Sequence, residues 1–244
     1  MKNPNYTDFF QQHFSHLEDV EISELGDSRY AIEAWNKPYD QILDLQEKSA
    51  QFVYDHPQTK VYIFCSHPHC FTNGRGLQKS RNSEDLKELK PFDQNQEKLL
   101  SLPLYQIFRG GGLTFHHPGQ WIFYPITKLN TTDHTLSKHI DWVLDSTAKT
   151  IKKCFDISVD ISKKPLGLWK NQRKVGSLGV GSKRYVTIHG LALNIEIDQK
   201  MKDALRHLNP CGLSSDTYCS ISEMGGAAAQ ERLFTETFKK NFLK

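Results

Sequence analysis

Neither sign of charge dominates this chain: 31 basic against 28 acidic residues leave a formal net charge of only +3. Nucleic-acid binders normally carry a concentrated basic surface, so no nucleic-acid partner is expected. The basic pairs Lys152 and Lys153, Lys163 and Lys164, Lys183 and Arg184 read as solvated charge, or as contacts for an acidic protein. No apolar run approaches a membrane span, and the opening Met-Lys-Asn-Pro-Asn-Tyr lacks the apolar stretch of a secretory signal. A cytoplasmic protein without a membrane partner is the expectation. Cysteine is sparse, five residues at irregular spacing, which in a reducing compartment reads as free thiols. His67, His69, Cys70, His116 and His117 are ligand types, but no C-x-x-C or H-E-x-x-H pattern sets a geometry, so no metal is expected. G-x-G-x-x-G and G-x-x-x-x-G-K-[ST] are both missing, which leaves no signature for a bound nucleotide.

No Pro/Ser/Gly-rich linker, low-complexity tract or internal repeat divides the 244 residues, and 38% hydrophobic content suffices for one core. We read a single α+β domain at 28–244, a mixed β-sheet flanked by helices, after an N-terminal extension at 1–27. Strands are expected at 28–35, 60–65, 104–108 and 120–126, with several short ones between 157 and 197. Helical spacing marks 39–54 and, most clearly, 135–155, where Ile140, Val143, Leu144, Thr147, Ile151, Cys154 and Phe155 form one stripe. Shorter helices are expected at 83–90, 199–208 and 229–242. Strands and helices intermixed without strict βαβ alternation point to α+β.

Special-purpose residues concentrate in Arg109-Gly-Gly-Gly-Leu-Thr-Phe-His-His-Pro-Gly-Gln120. Successive glycines bring backbone amides close to a ligand, and Pro118-Gly119 closes the stretch in a turn. This suits a substrate cradle better than a solvent loop. Two more unusual segments lie downstream: Lys174-Val-Gly-Ser-Leu-Gly, continuing to Thr187-Ile-His-Gly-Leu-Ala-Leu-Asn194, and Asn209-Pro-Cys-Gly212. Together the three resemble the lipoyl(octanoyl) transferase family, with its R-G-G-x-x-T-x-H-x-P-G-Q, K-x-x-S-L-G, S/T-x-H-G-x-A-L-N and N-P-C-G in the same order. Weaker similarity extends through His67-Pro-His-Cys-Phe-Thr-Asn-Gly74. The resemblance implies a catalytic fold of the biotin/lipoyl protein ligase type.

It also implies a reaction: an octanoyl group moves from octanoyl-acyl carrier protein to a lysine of a lipoyl domain. Acceptors would be the lipoyl domains of 2-oxoacid dehydrogenases and the glycine cleavage H protein. By the same resemblance Cys211 is the nucleophile and Lys174 its activating partner; spacing alone would not choose Lys174 over Lys170, Arg173 or Lys183. A thioester donor is already activated, so no cofactor is expected, and a monomer suffices. Substrate contacts are expected from Arg109, Gly110, Gly111, Gly112, Leu113, Thr114, Phe115 and His116, and from Ser177, Leu178, Gly179, Gly190, Leu191 and Ala192. Of these, Gly179 and Ser177, with Gly176 and Gly181, would leave room for an acyl slot walled by Leu178, Leu191 and Ala192; alternatively the glycines only let strands pack closely. At about 0.8 kcal/mol per buried methylene, an octanoyl tail grosses roughly 5 kcal/mol. For His116 and His189 two readings stay open, substrate positioning and a satisfied structural role, while His117 reads as incidental. The rival activity is an ATP-dependent lipoate-protein ligase, which has no need of Cys211; a noncatalytic binder would need neither Cys211 nor Lys174.

Overall fold

Alternation of side chains on four adjacent strands builds the core of this protein. The computed structural model describes residues 5–76, 102–207, 217–226 and 231–243. In chain order these form α1 (Tyr6–Phe14), β1 (Glu21–Gly26), β2 (Arg29–Ala34), α2 (Tyr39–Asp55), β3 (Lys60–Cys65), β4 (Cys70–Gly76), β5 (Leu104–Gln106), β6 (Gly111–His116) and β7 (Gln120–Ile126). There follow α3 (Leu136–Phe155), β8 (Asp160–Lys163), β9 (Leu166–Lys170), β10 (Arg173–Lys183), β11 (Val186–Asn194), α4 (Gln199–His207), a short 3-10 turn at Ser222–Met224 and α5 (Glu231–Phe242). The main sheet runs β1-β2-β3-β7-β11-β10-β9-β8, and β5-β4-β6 form a smaller one. In the main sheet β2 and β3 pair in parallel across the α2 crossover, while the other described pairs are antiparallel. A mixed sheet with helices on both faces is what the sequence pattern implies.

Successive residues of a strand face opposite sides. Val61, Ile63, Ile122, Tyr124 and Ile126 therefore join Ile42, Leu45 and Val53 of α2 in one cluster. Their neighbours Tyr62, Phe64, Trp121 and Phe123 point the other way, to Val143, Leu144 and Ile151 of α3 and Phe234 and Phe238 of α5. Helix α3 is stopped at both ends by its own sequence. Thr135 accepts from Lys138 N–H at 3.3 Å at the start, and Asp156 takes a left-handed φ of 56° at the end. Tyr6, Phe10 and Phe14 of α1 lie in the same cluster as Ile32 and Ile63, and the β1–β2 hairpin turns at Asp27 and Ser28. Residues 5–27 thus contribute a helix to the main core and an edge strand to the main sheet.

The sequence left the secondary structure of the cradle open. Residues 111–116 form strand β6, paired with β4 and packed through Phe71, Leu113, Phe115 and Met201. The small sheet is tied to the large one where Gly110 N–H donates to Val180 O at 3.1 Å. The expected helix at 83–90 and the segment 209–212 lie outside the described residues.

Candidate active site

Lys174 sits where β10 departs from regular pairing with β9. The register slips between Lys174 and Gly176, so Val175 is an extra residue opposite β9. A bulge of this kind re-aims the side chain beside it. Lys174 is 5% exposed, and its ammonium lies 5.6 Å from the centre of the Trp169 ring. Its stem passes over Gly167, whose φ is 151°; a Cβ there would stand 2.9 Å from Lys174 Cε and 2.2 Å from Gly176 O. Only glycine leaves space for this crossing. On the backbone side, Lys174 bridges Tyr218 and its carbonyl accepts from Cys219 N–H at 3.0 Å.

Cys211 lies outside the described residues, as do Asn209, Pro210 and Gly212. The described chain resumes at Thr217, next to the Tyr218 that pairs with Lys174. The other cysteines are poorly suited to nucleophilic work. Burial pushes the Cys65 thiol well above its usual range, Cys70 to about 12 and Cys219 to about 11. Cys154, half-buried, sits on the packed side of α3.

The cradle residues are committed to one another. Arg109, 8% exposed, turns its guanidinium inward. It donates to Gly110 O at 2.9 Å, to Thr72 O and Oγ1 at 3.1 and 2.9 Å, and to Thr114 Oγ1 at 2.9 Å. His116 lies between Thr72 Oγ1 at 3.1 Å and Gln120 Oε1 at 3.0 Å. An amide oxygen only accepts, so Nδ1 carries the proton and Nε2 accepts from Thr72. Burial first, and then the charges of His67 and Arg109, hold His116 well below its ordinary pKa. His189 is held to about 3, by burial and then Arg109; its N–H donates to Gln46 Oε1 at 2.8 Å and its Nδ1 is 3.4 Å from Tyr39 Oη. His117, kept to about 4 by burial, stacks on Phe115. Leu113 and Phe115 point into the small core, while Gly110 and Gly111 are exposed and Gly112 half-buried.

Several glycines of β10 and β11 lie tight against neighbouring backbone. A Cβ at Gly179 would lie 2.9 Å from Gly110 O, one at Gly181 2.1 Å from Phe108 O, and one at Gly190 2.1 Å from Phe123 O. These glycines admit the crossing segment 108–110 and the neighbouring strand, so close packing accounts for them. Ser177 pairs with Ala192, and Leu178 with Leu191, on alternate positions of the sheet. Leu178 and Leu191 belong to the cluster under α3, Ala192 to the one under α2. Because neighbours in a strand face opposite ways, Leu191 and Ala192 do not wall one slot.

Residues that the sequence reading left unassigned complete the centre: Thr72, Gln120, Asn194, Gly167, Trp169 and Cys219. Gln120 and Asn194 end two of the quoted motifs and Thr72 stands in the weaker one, so a signal for them existed. Nothing local marked Gly167 or the bulge.

The lipoyl protein ligase A/B catalytic domain model matches residues 38–244. An octanoyltransferase of Christiangramia forsetii is 28% identical over 93% of this chain and 93% of its own length. One from Bacteroides fragilis is 30% identical over 71% of this chain and 78% of its own. Among solved structures, lipoate-protein ligase A bound with ATP superposes with a TM-score of 0.61 at 12% identity, covering 85% of this chain and 84% of that one. The bipartite lipoate protein ligase of Thermoplasma acidophilum gives 0.57 at 11% identity, covering 85% and 82%. The structural likeness supports the fold; the sequence matches go further. This chain belongs to the lipoyl protein ligase A/B catalytic domain family and is an acyltransferase.

Proposed function

We propose that the chain transfers an octanoyl group from octanoyl-acyl carrier protein to a lysine of a lipoyl domain, through a thioester on Cys211. The relatives named octanoyltransferase, matched over nearly the whole chain, support the acyl group. The observation that carries the covalent step is the placement of Lys174. It is buried at a bulge and joined by backbone contacts to Tyr218 and Cys219, which follow closely on the segment bearing Cys211.

In the first half-reaction the Cys211 thiolate attacks the carrier thioester, and the carrier thiolate leaves with a proton from Lys174. In the second, the acceptor lysine amine attacks the octanoyl thioester and forms an amide; Lys174 takes up the amine proton and Cys211 is released. Lysine suits both halves: its ammonium favours the thiolate, and its amine can receive the proton that it gave up. Thioester aminolysis runs downhill without ATP, so the chemistry needs no cofactor. Acceptors are the lipoyl domains of 2-oxoacid dehydrogenases and the glycine cleavage H protein, and the enzyme acts as a cytoplasmic monomer. No helix among the described residues is long and apolar enough to cross a membrane.

Intact mass after mixing with octanoyl-acyl carrier protein alone tests the reading. One octanoyl group that hydroxylamine removes, and that Cys211→Ala does not acquire, is the expected result. Ligation of free lipoate that needs ATP and survives Cys211→Ser would overturn it in favour of a ligase.

A further inference from the structure

A single file of hydrogen bonds crosses the interior from Arg109 to Lys174. Arg109 Nη2 donates to Thr72 Oγ1 at 2.9 Å, and the Thr72 hydroxyl donates onward to His116 Nε2 at 3.1 Å. His116 Nδ1–H donates to Gln120 Oε1 at 3.0 Å. Gln120 Nε2 donates to Asn194 Oδ1 at 3.0 Å, with its second proton on Phe115 O at 3.1 Å. Asn194 Nδ2 donates to Cys219 O at 3.1 Å, and Cys219 N–H donates to Lys174 O at 3.0 Å. The file draws on β4, the 109–110 turn, β6, β7 and β11 before it reaches β10, and all five side chains are buried.

Its direction is set from one end. A guanidinium has no lone pair, so Thr72 Oγ1 must accept there and has its proton left for His116. His116 then has to carry its proton on Nδ1, Gln120 must turn its oxygen to His116 and its amide to Asn194, and Asn194 must aim its amide at Cys219. One reversed group would place two acceptors or two donors face to face in a dry interior, which costs more than a missing bond. The file therefore has one low-energy orientation. It delivers a fixed donor to Cys219 O, the carbonyl of the residue whose N–H holds the Lys174 backbone.

We infer that Thr72, Gln120 and Asn194 are positioning residues for Lys174, acting through a one-way file of hydrogen bonds that begins at Arg109. This rests on the role given to Lys174 in the proposed transfer reaction. None of the three touches substrate in this account; they hold the Cys219–Lys174 junction in place beneath the bulge.

Thr72→Val and Thr72→Ser test it, because valine keeps the shape and deletes the hydroxyl while serine keeps both polar functions. Asn194→Ala removes the terminal donor directly. Two quantities are read: hydrogen exchange at the Cys219 amide relative to amides in the centre of β11, and the single-turnover rate of octanoyl uptake. Thr72→Val should speed relative exchange at Cys219 and slow uptake, each by about fivefold, and Asn194→Ala by about tenfold, the scale of one lost hydrogen bond. Thr72→Ser should stay within about twofold of the parent in both. A lower melting temperature for Thr72→Val with unchanged relative exchange and uptake would reduce the file to ordinary structural support and overturn the inference. If the parent protein takes up no octanoyl group, the transfer reading falls. The exchange data still decide the file: a Cys219 amide loosened by Thr72→Val and held by Thr72→Ser upholds it, and any other pattern sinks it.

Discussion

The two halves of the centre use polar residues in opposite ways. Around Arg109 and His116, polar groups are aimed at one another, and the local glycines are tight against backbone. Around Lys174 the backbone steps out of register, and an ammonium is laid near the Trp169 ring with Gly167 leaving room beneath its stem. The first arrangement holds geometry; in the proposed reaction the second presents the acid–base group. Motif residues from both halves look equally special in the sequence, yet on this reading only the second half faces chemistry.

Breaking the reactive half should therefore cost a large factor in rate with little stability, and breaking the holding half should cost stability with only a modest factor in rate. Lys174→Met keeps much of the buried volume and removes the charge. Octanoyl transfer should fall about a thousandfold, the usual scale for a lost acid-base group, in a steady-state assay of amide product. Circular dichroism should show an intact fold.

Arg109→Ala strands the Thr72 and Thr114 oxygens and the Gly110 carbonyl in the interior. A loss of about 3 kcal/mol is expected in urea unfolding. Arg109→Lys should recover little of it, because an ammonium cannot span the same fork of acceptors.

Acid loads the buried histidines, most of them around the holding half. Burial keeps His67 and His117 near 4, His139 and His189 near 3, and His116 well below its usual value. In the unfolded chain each takes a proton below about 6.5. Their folded values are depressed, so the neutral forms are fully compatible with folding above that pH. Stability is lost as pH falls from there through the folded values, at up to about 1.4 kcal/mol per pH unit for each histidine. Denaturant midpoints at pH 7.5, 6 and 5 should therefore drop at an increasing rate; a flat profile over that range would contradict the burial.

The smallest effect is expected where the two halves meet. Cys219→Ala keeps the backbone links to Lys174 and Asn194 and removes only a buried, protonated thiol. Octanoyl uptake should persist, with about 1 kcal/mol lost in denaturant melts. Loss of the acyl adduct in this variant, with normal folding, would point to the wrong cysteine.

Much of the architecture was legible because it follows from periodicity. The stripe from Val143 to Ile151 predicts α3, and the β-rich run at 60–65 is β3 residue for residue. The strand of 120–126 carries all seven residues buried, as a central strand between two helical layers must. Less legible was the cradle, since three glycines are as compatible with a loop as with a strand whose neighbours press against it. Pairing with β4 decided between them. The small residues of β10 were ambiguous for a related reason: they mark a close approach without saying whether a ligand or a backbone makes it.

By itself the sequence determined which segments are helix or strand, which side of each turns inward, and which motifs carry the family chemistry. All of that depends on neighbours a few positions apart. Only the tertiary structure decided that Thr72, His116, Gln120 and Asn194 answer one another across four strands, and that Lys174 leans on Trp169 over Gly167. The Thr72–His116 and Gln120–Asn194 contacts join residues 44 and 74 positions apart, and the direction of each is set by a partner that the local sequence does not contain.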